Sequence, residues 1–391
     1  MVKQVIVQNE EGICVERELG VHRGTKHGPL VIGIGGIHGN EPAGVVALQN
    51  VLRQLRQSQL PFQGKLVALA GNLRALRAGS RYLHHDLNRL WLPERVQLLK
   101  AQSRNFASTG EEQEQYELLA AIENTLIGHV GPAIFLDLHT TSSDGAPFAL
   151  ISDTLTNRRL ALQLGVPLIL GLEENVEGTI LNYINDLGYE AIGFEAGQHQ
   201  APQSVKNHEA AIWLTLVASG CLTAHDIPAA QYQEQLRAAA QGLPSVLEVR
   251  YRHAIQDTDQ FVMRPGFSNF SSVERGQPLA LDQQGAICAQ ERSLLFMPLY
   301  QKQGEDGFFL VREVKPFWLS VSAWLRHWQT DRILHWLPGV RRLFGNRNAL
   351  VIDRHIARWL VLPICHLLGF RKHTQTDGML IVSRRRQSRS N

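Results

Sequence analysis

Three short apolar runs stand out in the first half of the chain, Pro29-Leu30-Val31-Ile32-Gly33-Ile34, Ala133-Ile134-Phe135-Leu136 and Ala191-Ile192-Gly193-Phe194. Each has the length and composition of a buried strand. Helical patterns separate them, over 43–57 and 111–127, and the second is introduced by Thr109 with Glu112 three residues later, the spacing of a capping box. Strands alternating with helices predict an α/β layer fold. Past a Gln/Ala-rich stretch at 229–241 the pattern changes to short alternating segments broken by Gly and Pro, at 261–267 and 306–311. These predict a small β domain. Further on, Trp318, Val321, Leu325 and Trp328 recur at helical spacing. The expected organisation is therefore a first α/β domain over 1–228, a small β domain over 245–315 and a helical extension over 316–391.

The ends of the three apolar runs carry the chemistry. The first leads into Gly35-Gly36-Ile37-His38-Gly39-Asn40-Glu41-Pro42, where Pro42 suits the start of the following helix because no backbone N–H is missed there. His38 and Glu41 thus sit at a strand's carboxyl end, the edge where open α/β sheets bind ligands. The second run continues as Asp137-Leu138-His139-Thr140-Thr141, and strand alternation puts Asp137 and His139 on one face. One carboxylate with two imidazoles, from His38, Glu41 and His139, is a suitable set for catalytic zinc, which needs three protein ligands and an open position for water. Asp137 is better placed to orient the site than to bind the ion. The third run delivers Glu195 between small residues in Gly193-Phe194-Glu195-Ala196-Gly197, a setting for a general base. Any one of these groups has an ordinary reading as a cap or a surface pair. Together they place charge at the ends of three apolar strands, which is costly unless the charges are paired or bind metal.

Between the ligand blocks lies Ser80-Arg81-Tyr82-Leu83-His84-His85-Asp86-Leu87-Asn88-Arg89, loop-like in composition, with two arginines whose planar forks match carboxylates. His84 and His85 are read as loop histidines. In this order, Gly-Gly-x-His-Gly-Asn-Glu, Asp-Leu-Asn-Arg, Asp-Leu-His-Thr-Thr and Gly-x-Glu-x-Gly resemble the succinylglutamate desuccinylase and aspartoacylase family, over most of residues 1 to 315. The resemblance implies a mixed sheet with helices on both faces, as in zinc carboxypeptidases, with the small β domain narrowing access to the site. It implies one zinc ion per subunit held by His38, Glu41 and His139, Glu195 as general base, Arg81 polarising the scissile carbonyl, and Asn88 and Arg89 holding a substrate carboxylate. The implied reaction is hydrolysis of a small N-acyl amino acid, with ester or peptide-terminal bonds open to the same apparatus. Asn185 stands where aspartoacylases proper carry a further substrate-binding arginine, and Gly178-Thr179-Ile180-Leu181 is more similar to the desuccinylase side.

Composition adds little to the first part and changes the picture of the last. The 391 residues suffice for two domains and a sizeable core. Cys14, Cys221, Cys288 and Cys365 are scattered without Cys-x-x-Cys spacing, as expected of free thiols. The start of the chain has strand-like alternation and turns acidic at Glu10, unlike a signal peptide, and no apolar run approaches the length of a membrane span. A cytoplasmic enzyme is expected. Residues 316–391, however, hold 13 Lys or Arg against 3 Asp, a balance of +10, so the remainder of a chain with net charge +3 carries −7. Five of its seven tryptophans, Trp318, Trp324, Trp328, Trp336 and Trp359, fall in the same segment. A basic helix with Trp on its apolar face suits a membrane surface; packing on the acidic body or on a second subunit of a homo-oligomer is the alternative. The terminal Arg384-Arg385-Arg386 is too short a cluster to predict specific nucleic-acid binding. A non-catalytic metal-binding module working through this tail is the other class of function, and the intact set of polar groups argues against it.

Overall fold

The computed structural model describes residues 8–9, 12–13, 15–101, 110–328, 334, 338–343, 349–353, 364–365, 367–376 and 379–383. The expected capping residue Thr109, Cys14, Trp336, Trp359 and the terminal arginines lie outside the described residues. A ribbon of β1 (Gln8–Asn9) and β2 (Gly12–Ile13) precedes β3 (Glu18–Arg23), β4 (Lys26–Gly35), α1 (Ala43–Gln57), β5 (Gln63–Ala70), α2 (Leu73–Ala78), α3 (Pro93–Ala101) and α4 (Gly110–Leu126). There follow β6 (Ala133–Thr141), β7 (Phe148–Ile151), α5 (Leu155–Leu162), β8 (Leu168–Leu170), α6 (Ile180–Asp186), β9 (Glu190–Gln198), α7 (Pro202–Ser219) and α8 (Ala229–Ala239). Then come β10 (Val246–Ala254), β11 (Val262–Met263), β12 (Ser272–Val273), β13 (Pro278–Asp282), β14 (Gly285–Cys288), β15 (Ser293–Phe296) and β16 (Asp306–Glu313).

Eleven strands form one mixed sheet in the order β12-β15-β16-β10-β8-β7-β9-β6-β4-β5-β3. At its centre β5, β4, β6 and β9 run parallel, and β7 is antiparallel to β9. Alternation along these strands divides the core. Val31, Leu136, Leu138 and Phe194 face the buried stripes of α1 and α7, where Leu48, Val51, Leu52, Ile212 and Leu216 pack. Ile32, Ile34 and Phe135 face Leu118, Leu119 and Ile122 of α4 and Ile180 and Ile184 of α6. The expected mixed sheet with helices on both faces is therefore present. The segment expected as a small β domain adds β10, β16, β15 and β12 to this sheet, through a parallel pairing of β10 with β8, and forms a separate sheet of β11, β13 and β14.

Past Lys315 the structure departs from the helical expectation. The helix α9 (Pro316–His327) is present, but it is followed by β17 (Val340–Arg342), β18 (Ala349–Asp353), β19 (Arg371–Thr376) and β20 (Met379–Ser383), an antiparallel sheet in the order β17-β18-β20-β19. The reason is a period-two pattern: Leu350, Ile352, Leu380 and Val382 are buried in one cluster with Leu368 and Phe370. The face of α9 turned inward is also polar rather than tryptophan-bearing, with Ser322 and Arg326 buried.

Arg326 explains how the extension is held. Its Nη2 lies 2.8 Å from Asp153 Oδ2, and Asp153 also accepts from both Nε and Nη2 of Arg158, with Arg158 Nη1 donating to Ser322 Oγ at 3.2 Å. The Asp153 and Arg326 side chains are only 1% and 2% exposed. Breaking a buried pair leaves an uncompensated charge, so Asp153→Ala should destabilise the protein by about 3–5 kcal/mol in denaturant unfolding. A loss too small to measure would mean that the extension is held by other contacts.

Candidate metal centre and active site

Parallel neighbours in the sheet bring three sequence-distant groups to one edge. β4 is flanked by β6, and β6 by β9, with His139 directly opposite Glu195. Their carboxyl ends therefore open on the same side, and Asp137, His139 and Glu195 project from the face covered by α4 and α6. After β4 the chain turns sharply at Gly36, whose φ of +70° is a left-handed conformation suited to glycine. Gly39 lies so close to α2 that a Cβ would come within 2.0 Å of the Ala75 carbonyl carbon, which fixes the course of the loop carrying His38 and Glu41.

The structure brings His38, Glu41 and His139 together, with one potential ligand atom of each within 4.8 Å of the others, and all three are buried. Glu41 occupies the middle: its Oε1 is 2.9 Å from His38 Nδ1 and its Oε2 3.1 Å from His139 Nδ1. The Thr140 amide also donates to Oε2 at 2.9 Å. Burial pushes the Glu41 carboxyl up, but His38 and His139 outweigh it and hold the pKa well below the usual value. The remaining ring nitrogens have acidic partners, His38 Nε2 at 3.1 Å from Asp86 Oδ1 and His139 Nε2 at 2.8 Å from Asp137 Oδ2. Imidazoles backed by carboxylates, with a third carboxylate between their free nitrogens, fit a divalent cation.

Asp86 is the site residue that the sequence reading missed. Besides His38, it accepts from Arg81 Nε at 3.1 Å and Nη2 at 2.9 Å, and from the Asn88 amide at 2.8 Å. Burial opposes its ionisation, yet Arg81 and then His38 keep its pKa well below the carboxylate range. The only signal was its place at the head of Asp-Leu-Asn-Arg. A second unforeseen group is Glu111 of α4, which accepts from the Leu83, His84 and His85 amides at 2.7, 3.2 and 3.4 Å and so shapes the loop presenting Arg81 and Asp86. His84 and His85 themselves are exposed, as loop histidines.

Glu195 and the arginines border a cavity of about 690 Å³, measured to its open mouth, which also reaches His38, His139 and Asn88. Glu195 is buried, and its Oε2 has no hydrogen-bond partner among the described residues. Burial raises its pKa to about 8, with Glu41 and Asp137 adding to the effect and His139 and Arg81 opposing it. Arg81 Nη1 approaches Glu41 Oε1 to 3.5 Å. Arg89 donates through Nη2 to Asp306 Oδ2 at 2.9 Å, while Asn88 Oδ1 accepts from the Ile180 amide at 2.9 Å. Asn185 is not in the cavity; its side chain accepts from Asn157 Nδ2 at 2.8 Å and donates to the Leu181 carbonyl at 2.7 Å. The connection from β15 to β16 crosses nearby, where Gln301 Oε1 accepts from Asn40 Nδ2 at 2.8 Å and lies 3.2 Å from His199 Nε2.

Known proteins resemble the chain in sequence and in fold. The succinylglutamate desuccinylase/aspartoacylase catalytic domain matches residues 27–219. The succinylglutamate desuccinylase of Serratia proteamaculans is 32% identical over 109 residues, covering 28% of this chain and 31% of the relative. That of Burkholderia pseudomallei is 34% identical over 122 residues, covering 30% and 33%. The chain thus spans about a third of the length of these curated relatives. Among solved structures, a succinylglutamate desuccinylase/aspartoacylase from Rhodobacter sphaeroides superposes with a TM-score of 0.54 at 16% identity, covering 75% of this chain and 88% of the other. The succinylglutamate desuccinylase of Vibrio cholerae gives 0.53 at 16%, covering 74% and 82%. At these identities the structural likeness is one of fold.

Because Asp86 and Asp137 orient the two imidazoles, Asp86→Asn and Asp137→Asn should each weaken Zn²⁺ binding about 10- to 100-fold. Competition with a chromophoric chelator measures this, and an unchanged affinity in both variants would remove the cation from this position.

Proposed function

We propose that the chain, whose residues 27–219 match the succinylglutamate desuccinylase/aspartoacylase catalytic domain, is a member of that family and a zinc-dependent hydrolase that removes the acyl group from an N-acyl amino acid or a related small carboxylated amide. The observation that carries this reading is the convergence of His38, Glu41 and His139 beside a buried Glu195 whose Oε2 has no hydrogen-bond partner among the described residues. His38, Glu41 and His139 would hold the ion, and a zinc ion bound there supplies Lewis acidity to a water and to the scissile carbonyl. Glu195 Oε2 takes a proton from the attacking water and passes it to the leaving nitrogen as the C–N bond breaks. Its raised pKa of about 8 suits the protonated half of that cycle, while the charge of Arg81 favours the base. Arg81, held by Asp86, offers its guanidinium to the negative charge that develops on the carbonyl oxygen. Asn88 and Arg89 hold the substrate's carboxylate. An ester would be cleaved by the same groups. Cytoplasmic action is part of the proposal, and no described helix is long and apolar enough to cross a membrane.

A specific observation supports peripheral membrane contact as well. On α9 and at its end, Phe317, Trp318, Trp324 and Trp328 are 66%, 49%, 59% and 66% exposed. Phe317, Trp324 and Trp328 share one helical stripe, and the segment from residue 316 onward carries a charge of +10. Exposed aromatic rings in a strongly basic segment of sequence suit an anionic lipid surface.

Two measurements test these readings. Glu195→Gln should lower kcat for N-acyl amino acid hydrolysis about 10²- to 10⁴-fold while zinc content, measured by atomic emission, stays at the wild-type level; full activity in the variant would sink the assigned base. The full chain should co-sediment with vesicles containing phosphatidylserine, and replacing Trp318, Trp324 and Trp328 together by Ser should abolish it. Equal sedimentation of the two proteins would dismiss the aromatic face as the contact.

A further inference from the structure

We infer that Met297 sets the size of acyl group the enzyme accepts, as the adaptable boundary between the cavity at the metal site and a second cavity that receives the acyl chain. The inference rests on the proposed hydrolase reading and names a specificity-determining residue of that site. The second cavity, about 500 Å³ measured to its open mouth, is lined by Thr140, Ser142, His199, Leu299 and Gln301 among others. Arg81, Arg89, Met297, Asp306 and Phe309 border both cavities, whereas His38, Asn88, His139 and Glu195 border the first and not the second. This division orients a substrate. With its carboxylate on Asn88 and Arg89, the amino-acid half stays in the first cavity. The scissile carbonyl at Arg81 then stands at the boundary, and the acyl chain beyond it continues into the second.

Four of the five boundary residues are held by their neighbours. Arg81 is engaged by Asp86, and Arg89 pairs with Asp306 and, at 3.5 Å, with Glu305. Asp306 is shared between Arg89 and Arg252. Phe309 is buried in a cluster with Phe148 and Phe296. Met297 differs, because its side chain is half-buried, unbranched and able to adapt to what lies against it. Its backbone, by contrast, is tightly set. A φ of +50° is left-handed, a conformation that a bulky residue adopts only where its surroundings impose it. Asn269 imposes it here. This buried side chain accepts from the Met297 amide through Oδ1 at 2.6 Å and donates through Nδ2 to Thr141 Oγ1 at 3.2 Å. Beyond Met297, Ser142 Oγ donates to the Pro298 carbonyl at 3.4 Å and accepts from the Tyr300 amide at 3.2 Å. Thr141 and Ser142 lie two and three residues past His139, so the end of β6 fixes the Met297 backbone relative to a metal ligand. Asn269 is thus a positioning residue for Met297.

Glycine adopts this left-handed conformation without strain, so Met297→Gly removes the side chain without opposing the backbone. The test uses the zinc-loaded full chain and N-acylglycines, which carry no amino-acid side chain. In Met297→Gly the kcat/KM for N-hexanoylglycine relative to N-acetylglycine should rise about tenfold or more over the wild-type ratio. An unchanged ratio would overturn the inference and leave the hydrolase reading standing. The ratio of N-acetyl-L-leucine to N-acetylglycine should stay at its wild-type value; if that ratio moves instead, the second cavity takes the amino-acid side chain and the inference fails. Asn269→Ala should raise the hexanoyl ratio in the wild-type background and add nothing in the Met297→Gly background, where no side chain is left to position. A further rise there would reject Asn269 as the positioning residue. Calorimetric binding of N-hexanoylglycine and N-acetylglycine to the metal-free full chain reads the boundary without cleavage. A binding ratio shifted towards the hexanoyl compound in Met297→Gly, with no hydrolysis of any N-acyl amino acid by the wild type, would uphold the boundary and reject the reaction. A binding ratio that does not move would overturn the inference.

Discussion

Four carboxylates, those of Glu41, Asp86, Asp137 and Glu195, lie buried within one neighbourhood, and the cost of burying charge governs how everything around them is arranged. Three are compensated by groups already in place: His38 and His139 flank Glu41, His38 and Arg81 share Asp86, and His139 faces Asp137. The fourth, Glu195, has an oxygen without a hydrogen-bond partner among the described residues, as Asp137 also has in its Oδ1, and burial raises the Glu195 pKa. A cation between the imidazoles would add attraction for Glu41 and Glu195 alike. The parallel run of β4, β6 and β9 is what makes the neighbourhood, because it ends three strands at one edge. The turn at Gly36 and the tight approach of Gly39 to α2 then limit where His38 can stand.

How much of this was legible in the chain depended on whether a group's partners were local. β4, β6 and β9 were readable because they are short apolar runs, and His38, Glu41, His139 and Glu195 were noticeable because each interrupts or ends one. Asp86 was not, since it sits in a loop among exposed histidines and its partner His38 is 48 residues away. Asp306 and Gln301 reach the cavity from the far end of the sheet, and no spacing in the sequence relates them to Arg89 or Asn40. In the extension, tryptophans at helical spacing drew attention to α9, whose inward face turned out to carry Ser322 and Arg326. The strands beyond it were signalled only by the modest alternation of Leu350 with Ile352 and of Leu380 with Val382.

The extension is more than an appendage to the sheet, because Arg326, a deeply buried cation, completes a group beside the turn that borders the cavity. Asp153 follows β7, and its carboxylate is shared by Arg158 and by Arg326 of α9. The same residue's amide donates to Glu173 Oε1, and β19 lies beside the turn Leu172–Glu174 that carries Glu173. A charge supplied by the extension thus helps to fix Glu173, whose neighbour Leu172 also lines the cavity. Without Arg326, Asp153 would lose one of the two guanidiniums that meet its carboxylate in a buried site, where an uncompensated charge is costly. α9 is therefore joined to the turn that borders the cavity through one ion pair and one backbone hydrogen bond.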